Sequence, residues 1–273
     1  MVYREKGESP FFVTAQSITH RSWVFEMRVS RLYVQEGLGK NRTVELNDDA
    51  AHYVRTVLRL KKDSSLIVFD GKGGEYTAVV AEASKKRVAL DLGQWHDRKI
   101  ESNLTINLGL AISRGDKMDW AVQKAVELGV NRITPLVTER CVVQLKGEKQ
   151  QQRLVHWQKI VQHAAEQCGR TVLPALSPID DLTDWVDKQT GLRIFLDPYA
   201  ETSLSQLKPL NDQVTLLSGP EGGFADHERD MAKAAGFIAV RLGARVLRTE
   251  TAALASIASL QMLWGDFGSS IQS

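Results

Sequence analysis

Two glycine-bearing segments near the C-terminus hold the residues best suited to chemistry: Ser218-Gly219-Pro220-Glu221-Gly222-Gly223 and Leu242-Gly243-Ala244-Arg245-Val246-Leu247-Arg248-Thr249-Glu250-Thr251-Ala252. Each follows a strand-like apolar run and precedes a helix-like one. Both are therefore expected as loops at the C-terminal ends of strands, where open α/β sheets bind ligands. Residues without a Cβ let a backbone approach a ligand closely, and the first N–H groups of a following helix are free donors. A site for a small cofactor is the natural reading. Neither segment carries the Gly-Lys-Ser/Thr of a phosphate-cradling loop, and neither is a Gly-x-Gly-x-x-Gly opening a first βα unit.

The elements that must position these loops follow from apolar patterning. Between residues 28 and 97 the pattern is short strands and turns. Ser65–Phe69 and Tyr76–Val80 flank Asp70-Gly71-Lys72-Gly73-Gly74, a hairpin signal because strand follows strand, and Val88–Leu92 adds another strand. A helical turn is expected around Asp48–Arg59, and the whole reads as a small β-barrel. Arg28, Arg31, Arg55, Arg59, Lys61 and Lys62 gather near its start, interleaved with Tyr33 and Tyr53. Taken alone such a patch reads as a solvated charged face, and a phosphate-binding role gains weight only beside a cofactor-binding neighbour.

The polar run His96–Asn103 suggests a boundary. Beyond it strands and helices alternate: strand 104–112, helix Asp116–Leu128 stopped by Gly129, strand Ile133–Val137, then a helix presenting Leu154, Trp157, Val161, Ala164 and Cys168 on one face and stopped by Gly169. Strands Leu192–Leu196, Val214–Leu217 and Phe237–Leu242 and a final helix over Thr251–Trp264 complete it. Repeated β-α alternation implies a largely parallel sheet with helices on its faces.

Composition bounds the function. At 273 residues and 43% hydrophobic content the chain favours two domains, and a net charge of +2 with a pI near 8.5 leaves any RNA binding to local patches. Cys141 and Cys168 have neither CxxC spacing nor a His cluster, which argues against zinc and against a disulfide framework and fits a cytoplasmic setting. No apolar stretch approaches the roughly 20 residues that span a bilayer. Residues 1–26 lack the apolar core of a signal peptide and read as an expression remnant, an upstream start or an arm, with little chemistry expected there. His156 and His163, seven apart on a helix, lack a third metal ligand, and the tryptophans at 120, 157, 185 and 264 read as core or interface anchors.

Motifs in order carry a resemblance from about Met27 to the C-terminus. They are Met27-Arg28 with Arg31, His52 with Val57-Leu58-Arg59, Phe69-Asp70-Gly71, Ser113 to Asp119, Gln123 to Val130, Ile133 to Leu136, Glu139-Arg140-Cys141, Glu166 to Arg170, and both glycine loops. The chain resembles bacterial small-subunit ribosomal RNA uridine methyltransferases of the RsmE type, within the SPOUT superfamily. The resemblance implies a PUA-like β-barrel over 27–97 and a methyltransferase domain over 98–273 whose C-terminus forms a trefoil knot. It implies S-adenosyl-L-methionine as cofactor, no metal, a homodimer, and methylation of uridine ring nitrogen 3 in small-subunit ribosomal RNA or the assembled subunit. The cofactor residues it implies are Leu196, Gly219, Pro220, Glu221, Gly222, Gly223, Leu242, Gly243, Val246, Leu247 and Thr251. Ala225-Asp226 departs from the family's usual Ser or Thr helix cap, so Asp226 is expected to take that role.

Methyl transfer from a sulfonium loses a neutral leaving group, but the imide nitrogen of uracil is a poor nucleophile while it keeps its proton. A base and cationic donors for the imidate are therefore required. Glu250 is the first candidate base, with helix capping or an arginine pair as its equal alternative. Arg248 and Arg140 are assigned to substrate-anion or phosphate contacts, and Arg28, Arg31, Arg55, Arg59, Arg114, Lys117 and Arg170 to RNA. Rival readings are a SPOUT enzyme with another RNA target and a non-catalytic RNA-binding assembly factor.

Overall fold

A computed structural model describes residues 29–35, 38–143, 145 and 147–268. The N-terminal part is a five-stranded sheet in the order β1-β3-β4-β5-β2, from β1 (Arg31–Tyr33), β2 (Thr43–Glu45), β3 (Ser65–Phe69), β4 (Glu75–Ala83) and β5 (Val88–His96). β1 runs parallel to β3, and the other pairings are antiparallel. Alternation along β3 and β4 turns Leu66, Val68, Ala78 and Val80 inward, where Val54 packs against them. Val54 comes from a turn of π-helix, Tyr53–Val57, that continues α1 (Asp48–His52). Asn47 starts α1 by accepting the Ala50 N–H at 2.9 Å. The strands expected at 65–69, 76–80 and 88–92 and the helical turn near 48–59 are all present. The three-residue strands β1 and β2 are too short to carry a periodic signal.

The C-terminal part is a parallel sheet in the order β12-β10-β11-β6-β7-β8, with β9 (Asp180–Asp181) on β7. Its strands are β6 (Thr105–Ala111), β7 (Arg132–Val137), β8 (Ala175–Leu176), β10 (Leu192–Leu196), β11 (Gln213–Ser218) and β12 (Ile238–Val240). Helices α2 (Asp116–Glu127), α3 (Glu148–Cys168), α4 (Leu182–Val186), α5 (Asp226–Ala234) and α6 (Thr249–Trp264) connect and cover them. One core sets Leu108 and Leu110 of β6 among Val122, Val126, Trp157, Val161 and Ile257 from α2, α3 and α6. A second core, on Trp185, Phe195, Leu217, Phe224 and Phe237, lies under α4 and α5. β6 alternates at period two through Ile106, Leu108 and Leu110, as its sequence suggests, while cover on both faces also encloses Gly109, Ala111 and nearly all of β11. α3 ends at Gly169, whose φ of 88° is the left-handed conformation a helix stop requires.

Two expectations shift. The final helix begins at Thr249 rather than Thr251, and the strand expected over 237–242 spans 238–240, with Arg241 and Leu242 already in the loop. β11, late in the sequence, lies between β10 and β6, and Val214 pairs with Ile106 on one side and Leu192 on the other. The C-terminal ends of β12, β10 and β11 are thereby neighbours.

Gly109 in the middle of β6 is fixed by packing, because a Cβ there would lie 2.5 Å from the Trp185 ring and 2.9 Å from Leu136 Cδ1. Gly109→Ala should cost about 1–3 kcal/mol, the usual cost of overpacking a dense core. A urea midpoint equal to that of the unsubstituted protein would contradict this packing.

Candidate active site at the ends of the central strands

The three adjacent strand ends enclose a cleft of about 610 Å3, within the usual range for small-molecule sites. β10 supplies Leu196 and the following Asp197-Pro198-Tyr199, β11 supplies Ser218 to Phe224, and the loop after β12 supplies Leu242 and Arg245 to Arg248. The first turn of α6 closes it with Thr249 and Ala252, three residues apart on one helical face. α6 is held at its far end by Gln261, which is fully buried, donates to the Leu128 carbonyl at 3.1 Å and accepts from Ser102 at 2.8 Å.

Of the residues expected to bind a cofactor, Leu196, Gly219, Pro220, Glu221, Gly222, Gly223, Leu242, Val246 and Leu247 line this cleft. Gly243 and Thr251 do not. Gly243 makes the turn instead, at φ 72° with open space where a Cβ would stand. Thr251 is exposed because the earlier helix start rotates Thr249 and Ala252 into the wall. The same rotation removes Glu250 from the lining. One of its carboxylate oxygens is enclosed without a hydrogen-bond partner among the described residues. Arg248 and Arg140 do line the cleft, and Arg140 Nη1 donates to the Gly222 carbonyl at 3.1 Å.

The glycines of the first loop answer to the loop's own packing. A Cβ on Gly219 would lie 3.0 Å from the Phe224 ring, and one on Gly222 would lie 3.1 Å from Arg140 Cβ. Gly223 adopts φ 66° and donates to the Pro220 carbonyl at 2.9 Å, closing the turn. The helix that follows is not capped by Asp226. Glu228, 4% exposed, accepts the Ala225 N–H at 2.9 Å and the Glu139 N–H at 2.8 Å, tying the loop after β7 to the start of α5.

Lys117, Arg140, Arg229, Arg241, Arg245 and Arg248 line the cleft against only Asp197 and Glu221. Lys117 lies 3.5 Å from Glu221, and Arg229 lies 3.8 Å from Asp197. The guanidiniums of Arg241, Arg245 and Arg248 have no partner among the described residues, so the cleft carries an uncompensated positive potential that attracts anions. Sequence patterning pointed to Arg245 and Arg248 but missed Tyr199, Arg229 and Arg241, which flank the loops rather than belong to them. Arg114 and Lys117 adjoin Glu221 at the start of α2, and the Arg114 N–H points to Glu221 Oε1 at 3.5 Å.

The expected RNA patch divides. Arg28 lies outside the described residues. Arg59 is exposed, in a left-handed conformation at φ 55°. Arg55 donates to the Ser84 and Lys85 carbonyls at 2.7 and 3.0 Å, which commits it to the β4–β5 turn. Arg31 and Arg170 are corrected: Arg31 is part-buried and Arg170 buried, and each pairs its charge with a carboxylate inside the molecule, although neither Nε has a hydrogen-bond partner among the described residues. Arg31 pairs with Glu75, which Arg98 also approaches at 3.4 Å, and it donates to the Arg170 carbonyl. Arg170 pairs with Glu101 at 2.6 Å and donates to the Val126 and Val130 carbonyls at 3.0 and 2.7 Å. Phe69 at the end of β3 sits in the core of the other sheet, under the Arg31 guanidinium.

The same junction absorbs other residues. Glu166 accepts the Tyr33 N–H at 2.9 Å and lies 3.0 Å from His163 Nδ1, and the His163 ring stacks on Tyr53. Burial raises the phenol pKa of both Tyr33 and Tyr53, and burial likewise raises that of the Cys168 thiol. His156 lies 2.7 Å from Asp119, which also accepts the Trp157 indole N–H at 3.0 Å. Among the described residues no group of three or more His, Cys, Asp or Glu could hold a metal. Trp157 and Trp185 are core residues, while Trp120 is 46% exposed.

The class of protein in which this parallel sheet, cationic cleft and small β domain occur together is shown by comparison with known families. Residues 100–261 match the RNA methyltransferase domain family and residues 46–92 the RNA methyltransferase PUA domain. The chain belongs to the ribosomal RNA small subunit methyltransferase E family. Its relative from Buchnera aphidicola subsp. Schizaphis graminum is 34% identical over 241 residues, covering 88% of this chain and 98% of the relative. The family member from Neisseria gonorrhoeae, whose crystal structure has S-adenosyl methionine bound, superposes with a TM-score of 0.82 at 38% identity, covering 88% and 99% of the two chains. A Legionella pneumophila methyltransferase in complex with the same cofactor superposes with a TM-score of 0.85 at 37% identity, covering 88% and 100%.

Glu101→Gln should leave Arg170 without its counter-charge in a nearly closed environment. The expected loss is about 1–3 kcal/mol, below the full cost of breaking a buried pair because Glu101 keeps some solvent contact. Unchanged denaturant stability would argue that Arg170 is satisfied by its carbonyl partners alone.

Proposed function

We propose that this protein methylates ring nitrogen 3 of a uridine in small-subunit ribosomal RNA, using S-adenosyl-L-methionine bound in the cleft at the ends of β10, β11 and β12. The cation-rich cleft carries the reading. The residues present fit the cofactor: Leu196, Leu242, Val246 and Leu247 offer apolar wall to an adenine, and the loop backbones and Thr249 offer polar groups to its ribose and amino-acid portions. When bound, the cofactor supplies an electrophilic methyl group on a sulfonium.

The chain's own residues must then make the imide nitrogen nucleophilic. Arg245 and Arg248, facing a uracil, stabilise the imidate as its proton leaves, an electrostatic effect worth about 10²–10³ in rate for one preorganised donor. Glu221 lines the cleft where Glu250 does not, so this reading assigns the proton to Glu221. Arg59, Arg114 and Lys117 remain available to hold RNA phosphates, whereas Arg31 and Arg170 hold the two sheets together. The reading includes a PUA-like domain over 27–97 and a catalytic domain over 98–273, a C-terminus threaded as a trefoil knot, and work as a homodimer in the cytoplasm. Exposed Met262, Leu263 and Phe267 near the end of α6 suit an apolar subunit contact.

Two measurements test it. Nucleoside mapping of ribosomal RNA from cells with and without the gene should show N3-methyluridine in small-subunit RNA disappearing with the gene, and its persistence would refute the assignment. Calorimetry should show metal-independent S-adenosyl-L-methionine binding that Gly222→Val weakens at least tenfold, because a branched side chain presses on Arg140 and narrows the cleft. Wild-type affinity in that variant would place the cofactor elsewhere.

A further inference from the structure

Tyr199 is 77% exposed, yet it lines the cleft rather than a remote surface. Its position is built. The Asp197 carboxylate, itself 10% exposed, accepts the Tyr199 N–H at 2.9 Å through Oδ1 and faces Arg229 Nη1 at 3.8 Å through Oδ2. That guanidinium lies over the Tyr199 ring, 5.9 Å from its centroid. One carboxylate thus fixes both the backbone that carries the ring and the cation behind it. A cation on one face of an aromatic ring is favourable, and it leaves the other face for a flat partner. An electron-rich partner, such as a uracil losing its imide proton, gains further from the positive charge behind the ring.

We propose that Tyr199 is a stacking platform for a base of the RNA substrate at the mouth of the cleft, with Arg229 and Asp197 as its positioning residues. The proposal rests on the RNA methyltransferase reading above. Stacking on an aromatic side chain is indifferent to base identity, so Tyr199 orders the nucleotide while the arginines that line the cleft act on it.

The test uses the full-length protein with small-subunit RNA or subunits from cells lacking the gene, labelled S-adenosyl-L-methionine as methyl donor, and calorimetry for the cofactor. Wild-type transfer to RNA checks the parent reading separately. Tyr199→Ala should lower kcat/KM for RNA about 5- to 150-fold, the range that base stacking energies imply, chiefly through KM. Cofactor affinity should stay within twofold. Tyr199→Phe should restore most of the loss, since it keeps the ring, and Arg229→Gln should fall between. An alanine variant with wild-type kcat/KM for RNA overturns the proposal. So does one that loses cofactor affinity while RNA parameters hold, which would put the ring against the cofactor.

Discussion

The buried charge network where β1 and the β3–β4 hairpin meet the end of α3 is the constraint from which the arrangement of the molecule follows. Arg31, Glu75, Arg170 and Glu101 are largely removed from water, and desolvating a guanidinium costs several kcal/mol unless partners meet its fork. Here carboxylates and backbone carbonyls meet it from both sheets. Phe69 inserted into the second core adds apolar area to the joint, and Gly73 N–H to Thr171 carbonyl and Leu173 N–H to Gly71 carbonyl bonds stitch the hairpin tip to the segment after α3. Such a joint supplies geometry more than net stability. It sets where exposed Arg59 stands relative to the cleft.

The cleft follows a different rule. Three parallel strands end side by side, and the loop after β12 carries the unpaired Arg241, Arg245 and Arg248. Charge of one sign in a concave, partly apolar site is worth more than on an open surface. Positive potential at the mouth draws the polyanion in, and inside it favours any substrate that becomes anionic as it reacts. In the proposed stacking role, Tyr199 and its supporting pair add shape to that field, so that attraction becomes orientation.

Much of this was legible in the sequence because its signals are local. Glycine loops, apolar runs and helix stops such as Gly169 depend on neighbours a few residues away, and nine of the eleven expected cofactor residues line the cleft. The failures share a cause. Arg31 and Arg170 read as RNA contacts because a guanidinium does not announce a carboxylate distant in the chain. Glu250 was a candidate base because it is a carboxylate within the second glycine loop, and the fold places it in the first turn of α6, outside the cleft lining. Glu228 was missed as a cap because it reaches back to Ala225, a residue with no polar side chain to mark it.

The placement of β11 has a consequence for how the protein is made. β6 emerges early from the ribosome, but its neighbour on that side is not synthesised until residues 213–218 appear. Until then β6 and β10 each expose an unpaired edge, a template for pairing with another chain. Closure must wait for a contact between distant parts of the sequence, which slows folding and prolongs the aggregation-prone interval. A nascent chain stalled before β11 would depend on chaperones, and truncations there should be lost as insoluble material rather than accumulate as folded fragments.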